Sequence, residues 1–296
     1  MTQSNETTYA YVVVASKDDL FAEMTAVSMA TLRAVMPGAR IVMLTDADTA
    51  GLDTSAIASL RKTASDWIVC DLGGLAGGVE RSRHLKLRSR ALLDGHFVYL
   101  DSDTLIARDL SGMSRHKGDF AAAPDALTRL DDRLVALAAA KGWEAPKPYL
   151  NGGVFSVRDT PATRTLFEDA YAVWRQAAAA GFYSDQFALN IALQRARFPI
   201  TWLAPTYNLQ IAMDAGAAIR PHIFHVFSHD FANRDDTVLH TMSRTLKETG
   251  VLDEAGLESF VRTGNPWTNP TRPKQFIALG RPVSAVMAKI RDTIGG

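Results

Sequence analysis

Four short apolar runs in the first hundred residues constrain the fold more than any other feature. They are YAYVVVA (9–15), RIVMLTD (40–46), DWIVCDL (66–72) and FVYL (97–100). They are apolar throughout rather than alternating, which is the pattern of strands covered on both faces. Helical periodicity separates them. In LFAEMTAVSMATLRAVM (20–36), Leu20, Met24, Val27, Leu32 and Val35 recur at roughly helical spacing, and Pro37-Gly38 closes the segment. A second helix, rich in Arg and Lys, is expected over ERSRHLKLRSRALLDG (80–95) after the glycine-rich GGLAGG. Strand alternating with helix predicts an α/β fold, a Rossmann-like, mostly parallel sheet flanked by helices. Ligands of such sheets bind outside the carboxyl ends of the strands.

The second half is less regular. Helices are expected over 132–142, 162–181 and 185–196, the last capped by Ser184 or Asp185, and an extended stretch over YLNGGVFSV (149–157). With no internal repeat and no low-complexity linker, the 296 residues, 47% hydrophobic, read as one domain over 1–240 and a C-terminal helical extension over 241–296. Basic and acidic residues balance at 32 each, which argues against a general nucleic-acid partner. The single cysteine, Cys70, excludes an internal disulfide and fits a reducing compartment. The polar start MTQSNETTYA lacks a signal-peptide pattern, and no apolar run reaches membrane-span length, so a cytoplasmic protein is expected.

The fourth strand runs straight into Asp101-Ser102-Asp103. Carboxylates beside a buried strand are costly unless paired, and two close together repel unless a cation lies between them. Mn²⁺ and Mg²⁺ accept one or two carboxylates together with substrate phosphates. A solvated turn is the competing explanation for an isolated Asp-x-Asp.

Further segments weigh against that explanation. FVYLDSDTLIARDL (97–110) resembles the donor-site motif of GT-A glycosyltransferases, particularly family 8, the relatives of glycogenin and the lipopolysaccharide galactosyltransferases. RHLKL (83–87), YLNGGVFSV (149–157), YSDQFALN (183–190) and FHVF (224–227) resemble that family's other motifs in the same order, over roughly residues 9–230. The resemblance implies a GT-A fold and a metal-dependent, retaining transfer of sugar from a nucleotide-sugar donor, a UDP-sugar, to an unidentified acceptor such as a glycan or lipid-linked saccharide. It implies Mn²⁺ (or Mg²⁺) held by Asp101, Asp103 and His225, with His229 the second choice of histidine. It places Arg83 and Lys86, or His84 by a gapless count, near the donor diphosphate. Asn151, Gly152, Asp125 and Ser102 fall at the donor, and Ala15, Ser16 and Asp18 or Asp19 near its base and ribose. Asp185 is implied as a ligand of sugar hydroxyls, and Gln186 on the reacting face of the anomeric carbon. The family's Gly-x-x-Lys-Pro-Trp is replaced by FSHDFANRDD (227–236), so His229, Arg234 or the segment around Trp267 is expected to replace the lysine.

Three other readings stay open, one of them a plain interaction domain with no nucleotide-sugar site. A sugar nucleotidyltransferase shares the layout, although ASKDDLF after the first strand has no glycine, and a non-catalytic nucleotide-sugar binding protein would share the fold. In the tail, Val283, Val286, Met287, Ile290 and Ile294 form an apolar helical stripe beside Arg281, Lys289 and Arg291. The favoured expectation is that this stripe packs on the domain. The alternative is weak peripheral contact with the inner face of a membrane.

Overall fold

The computed structural model describes residues 7–72, 74–75, 77–126, 130–144, 147–226 and 237–294. Ten strands lie among them: β1 (Thr8–Val13), β2 (Arg40–Asp46), β3 (Asp66–Cys70), β4 (Phe97–Leu100), β5 (Thr104–Ile106), β6 (Phe120–Pro124), β7 (Leu150–Val157), β8 (Thr201–Trp202), β9 (Leu209–Gln210) and β10 (Ile223–His225). Seven form one sheet in the order β3-β2-β1-β4-β7-β6-β8. The β3-β2-β1-β4 block is parallel, β7 runs antiparallel to both β4 and β6, and β8 is parallel to β6.

The runs of β1, β2 and β4 behave as two-faced strands, whereas β3, expected to be covered on both faces, lies at the sheet edge and is half-exposed. Tyr9, Tyr11 and Val13 bury into one core with Val98 and Leu100, while Ala10, Val12 and Val14 bury into another with Phe97 and Tyr99. Each large apolar side chain so buried contributes roughly 1.5–3 kcal/mol, and a polar residue in β1 or β4 would damage one of the two layers. Helices Phe21–Val35 and Gly78–Leu92 match the expected segments. The helix Ser55–Thr63 and strand β6 were not marked by the sequence: the first buries only Ala56, Ile57 and Leu60, and the second is largely alanine.

A second, three-stranded sheet, β5-β10-β9, positions the site. β10 runs antiparallel to β5 and parallel to β9. Beneath it a third core joins Met24, Val27, Leu105 and Phe224 to Leu239, Met242, Phe260 and Trp267. Residues on both sides of position 240 therefore share one core.

The tail differs from expectation. The helix Pro282–Ile294 forms, but Val283, Val286, Met287 and Ile290 are exposed, at 76, 59, 59 and 46%. Ala285 and Ala288 supply its buried face instead. Small side chains let this helix lie close to its neighbour, and the large apolar stripe faces outward.

Candidate active site

Asp101 leaves β4 at its carboxyl end, where the strand order reverses between β1 and β4. The chain turns through Ser102 and Asp103 and enters β5 in the other sheet. The β10–β5 ladder sets His225 opposite Thr104, and the Val226 amide donates to the Asp103 carbonyl at 2.8 Å. One oxygen from each aspartate and one ring nitrogen of His225 thus lie within 4.8 Å of one another. His225 Nε2 is 3.1 Å from Asp103 Oδ1 and 3.9 Å from Asp101 Oδ2. Gly153 makes this convergence possible. A Cβ there would sit 2.7 Å from Asp101 Oδ2 and 2.9 Å from His225 Nε2, so any larger residue would displace Asp101 and His225. Two hard oxygens and one imidazole nitrogen suit Mn²⁺ and, less well, Mg²⁺. The donor set fits a divalent ion, as the resemblance implied.

A charge network backs the triad. Lys86 Nζ lies 3.0 Å from Asp101 Oδ1 and 2.8 Å from Asp185 Oδ2, and Arg83 Nε is 2.9 Å from Asp185 Oδ1. The Tyr99 hydroxyl donates to Asp101 Oδ1 at 2.8 Å. Burial would raise the Asp185 carboxyl, but Lys86 and Arg83 outweigh it and bring its pKa down to about 2. Burial likewise opposes the Asp103 charge, and the adjacent His225 imidazolium reverses the effect, again to about 2. His225 is raised, since the aspartates overcome the desolvation that would lower it. Lys86 follows the same logic: burial favours its neutral form, and Asp101 and Asp185 keep it charged. The site is thus buried, ionised and compensated by its own residues.

These residues face a cavity of about 1190 Å³. Ala15, Ser16, Arg83, Lys86, Ser102, Asp125, Asn151, Asp185 and Gln186 all line it with the triad. Asp18 and Gly152 do not. Asp19 takes the wall position, its carboxylate accepting from the Ser16 amide and hydroxyl, and of the glycine pair it is Gly153 that lines the cavity. Gly152 makes room for Gln186, whose Cα and Cβ would be 3.3 and 3.1 Å from an added Cβ. Its amide donates to Gln186 Oε1 at 2.8 Å, while Gln186 Nε2 donates to Asp125. The two glycines thus admit the protein's own side chains. His84 turns the other way, its Nδ1 3.0 Å from the Tyr171 hydroxyl. Ser184 caps the helix Asp185–Arg195, as expected. His229 and Arg234 lie outside the described residues.

The buried amides escaped the sequence reading. Asn208 contacts His225 and Asn151, Gln210 bonds Pro124 and Ala126 on either side of Asp125, and Asn190 bonds both Leu150 and the Gln186 carbonyl. Their only sequence signal is an amide set among apolar neighbours, which must find partners when buried.

No family model matches this sequence, and no curated protein does. Solved structures do match. The galactosyltransferase LgtC, in complex with donor and acceptor sugar analogues, superposes with a TM-score of 0.54 at 16% identity, over 75% of this chain and 87% of that one. The glycosyltransferase GlyE of Streptococcus pneumoniae TIGR4 gives 0.54 at 16% identity, over 90% of this chain and 67% of its own. Mouse xyloside xylosyltransferase 1 gives 0.53 at 12%, over 75% and 97%. This chain shares the fold of these glycosyltransferases, the GT-A fold that the sequence resemblance implied.

Proposed function

We propose that the protein transfers a hexose from a UDP-sugar to an acceptor hydroxyl on a glycan or lipid-linked saccharide, with retention, and that it requires Mn²⁺ or Mg²⁺. One observation carries this reading: the Asp101–Asp103–His225 group and the Asp185–Gln186 pair face the same cavity at the carboxyl end of β4. Asp101, Asp103 and His225 would hold the divalent ion, which when bound would supply Lewis-acid neutralisation of the diphosphate. Ala15, Ser16 and Asp19 meet the base and ribose, and Asp125, Asn151 and Asp185 hold sugar hydroxyls. Asp185, kept ionised by Lys86 and Arg83, places negative charge beside a transition state with oxocarbenium character. Gln186 is neutral, and its amide is fixed at both ends by Gly152 and Asp125. Such a group is a poor nucleophile, so departure and attack on one face of the sugar are favoured over a covalent intermediate. The bond from the anomeric carbon to the phosphate oxygen breaks, the acceptor oxygen bonds to the same carbon, and the acceptor proton passes to the leaving diphosphate. LgtC, solved with donor and acceptor sugar analogues and as an active-site Gln-to-Glu mutant, supports the assignment.

We also place the protein in the cytoplasm, with its exposed C-terminal stripe in weak contact with the membrane surface. Among the described residues no helix is long and apolar enough to cross a membrane.

A thermal-shift panel of UDP-, GDP- and dTDP-sugars with and without Mn²⁺, followed by NMR of the product anomer, tests the reading. Stabilisation by a UDP-sugar that depends on Mn²⁺, then an α-product from an α-donor, is the expected result. No stabilisation by any nucleotide-sugar in Mn²⁺ sinks it, and donor binding without transfer or hydrolysis leaves only a binding protein.

A further inference from the structure

Asn208 is 2% exposed, carries no charge and lies outside the triad, yet it touches two residues of the site. It ends the 3-10 turn Pro205–Tyr207 and precedes β9, whose parallel pairing with β10 sets Leu209 beside Phe224 and Gln210 beside His225. From there Asn208 Oδ1 lies 3.0 Å from His225 Nδ1, and Asn208 Nδ2 donates to Asn151 Oδ1 at 2.9 Å. Asn151 Oδ1 also accepts from the Gly153 amide at 2.9 Å. Asn151 and His225 are 1 and 2% exposed, so water does not compete for these bonds.

The polarity of this chain is fixed from one end. The Gly153 N–H can only donate, so it requires an oxygen of Asn151. That oxygen requires the NH₂ end of Asn208. The oxygen of Asn208 is then turned to His225 and can pair only with a protonated Nδ1. This leaves Nε2 as the ring nitrogen facing Asp101 and Asp103, with its lone pair available in the neutral imidazole. The same bonds occupy Asn151 Oδ1 twice, which leaves its NH₂ as the end that can donate to a hydroxyl in the cavity it lines.

We infer that Asn208 is a positioning residue, setting the tautomer and ring orientation of His225 toward a metal and the amide orientation of Asn151 toward the donor sugar. The inference rests on the proposed metal site. Partners behind metal-ligating histidines are typically worth about 10–100-fold in metal affinity.

The two functions separate by substitution. Asn208→Leu keeps the shape and removes both bonds. Asn208→Asp keeps an acceptor for His225 Nδ1–H but loses the donor to Asn151. Mn²⁺ alone is titrated into the metal-free proteins and followed by EPR, with the ¹⁴N modulation of bound Mn²⁺ reporting the imidazole and circular dichroism reporting the fold. Expected is about a 10–100-fold loss of Mn²⁺ affinity and a weakened ¹⁴N signal in Asn208→Leu, with Asn208→Asp near wild type in both and weakened only toward the nucleotide-sugar. Wild-type Mn²⁺ affinity in folded Asn208→Leu overturns the inference, and so does an equal loss in both variants, the mark of a merely structural residue. Should Asn208→Leu not fold, Asn208→Asp decides alone: retained affinity and ¹⁴N signal support the role, and a tenfold loss refutes it. A wild-type protein that binds no Mn²⁺ refutes the metal site itself and this inference with it.

Discussion

Strand β4 has a polar cluster at each end, and the two are opposite in kind. At the carboxyl end, Asp103, Asp185, Lys86 and His225 are buried or half-buried and hold one another in their charged forms, beside the half-buried Asp101. At the amino end, His96 Nε2 and His116 Nε2 lie 2.7 and 2.9 Å from the Ser156 hydroxyl, with the two rings nearly perpendicular at 5.7 Å. Burial and Arg158 push both imidazoles down, and His116 adds to the effect on His96, which falls to about 4, so they stand neutral. A single hydroxyl proton suffices for the second cluster, since Ser156 donates to one ring and accepts from the other. Fixed charges satisfied by other fixed charges are costly for stability alone, because apolar packing would serve as well or better. Such a network facing the cavity makes the carboxyl end the candidate site, whereas at the amino end the neutral imidazoles sit beside the ion pair of buried Arg90 with Asp159, which holds the Gly95 turn.

The largest effect should come from breaking the charged end at its metal ligands. Asp103→Ala, and similarly Asp101→Ala, should lower turnover by at least ~10²–10³-fold, the scale of losing a main electrostatic stabiliser of the leaving group. The fold should persist, because half of the buried repulsion disappears with the ligand. Turnover in Mn²⁺ equal to wild type in either variant would remove the triad from the mechanism. Ser156→Ala at the other end should leave turnover unchanged.

Lys86→Met attacks the compensation instead. Asp185 keeps Arg83, but Asp101 loses its lysine, and stripping a partner from a buried ion pair costs on the order of 3 kcal/mol. Denaturation of the metal-free variant should begin earlier, and Mn²⁺ should restore more stability to it than it adds to wild type, since the ion then neutralises carboxylates that the lysine had served. Equal Mn²⁺ stabilisation of both proteins would mean that Lys86 and the ion do not share a charge balance.

The contrast also explains what could be read in advance. Asp101, Asp103, His225, Lys86 and Asp185 are ionisable groups within apolar or helical patterns, and such residues announce a cost that needs a reason. β1, β2 and β4 were legible because their runs are covered on both faces. β6 was not, since alanines carry little β signal, and the Ser55–Thr63 helix presents too short an apolar face. The amides Asn190, Asn208 and Gln210 stayed hidden because their partners are backbone groups and side chains remote in sequence, set by the β10–β9 register and by the β7–helix packing. The outward stripe of the tail was misjudged for a related reason: periodicity gives a helix an apolar face but does not say which face its neighbour covers.

A pH series separates the two ends in one experiment. In the unfolded chain His96 titrates near 6.5, and in the folded protein near 4. As pH falls through that interval the unfolded state takes up a proton that the folded state refuses, so stability declines between about 6.5 and 4 and then levels off. Asp185 acts lower down. Its carboxyl titrates near 3.8 unfolded and about 2 folded, so its contribution is present above 3.8 and is lost as pH drops toward 2. Denaturant midpoints of His96→Gln should show a shallower decline between 6.5 and 4 and an unchanged one below. The same slope in both proteins would show that the His96–His116 cluster is not buried neutral.

The smallest effect is expected from a surface outside both clusters. Val283, Val286, Met287 and Ile290 stand exposed on the last helix, with Arg281, Lys289 and Arg291 exposed around them. The helix Pro273–Ala278, against which it packs, reaches the cavity side of the molecule, since Lys274 pairs with Asp214 at 3.0 Å and Met213, next to Asp214, lines the cavity. Near an anionic lipid surface each basic residue contributes about 1 kcal/mol, screened by salt, and four apolar side chains add insertion into the headgroup boundary. The stripe carries no Trp or Phe, so the sum is weak and reversible association. In co-sedimentation, vesicles containing phosphatidylglycerol should retain a minor fraction of the protein at low salt and release it at high salt, while phosphatidylcholine vesicles retain none. Val286→Glu combined with Met287→Glu should abolish retention, leaving turnover on a soluble acceptor unchanged and the two β4 clusters untouched. Equal, negligible retention on both vesicle types would detach the stripe from the membrane.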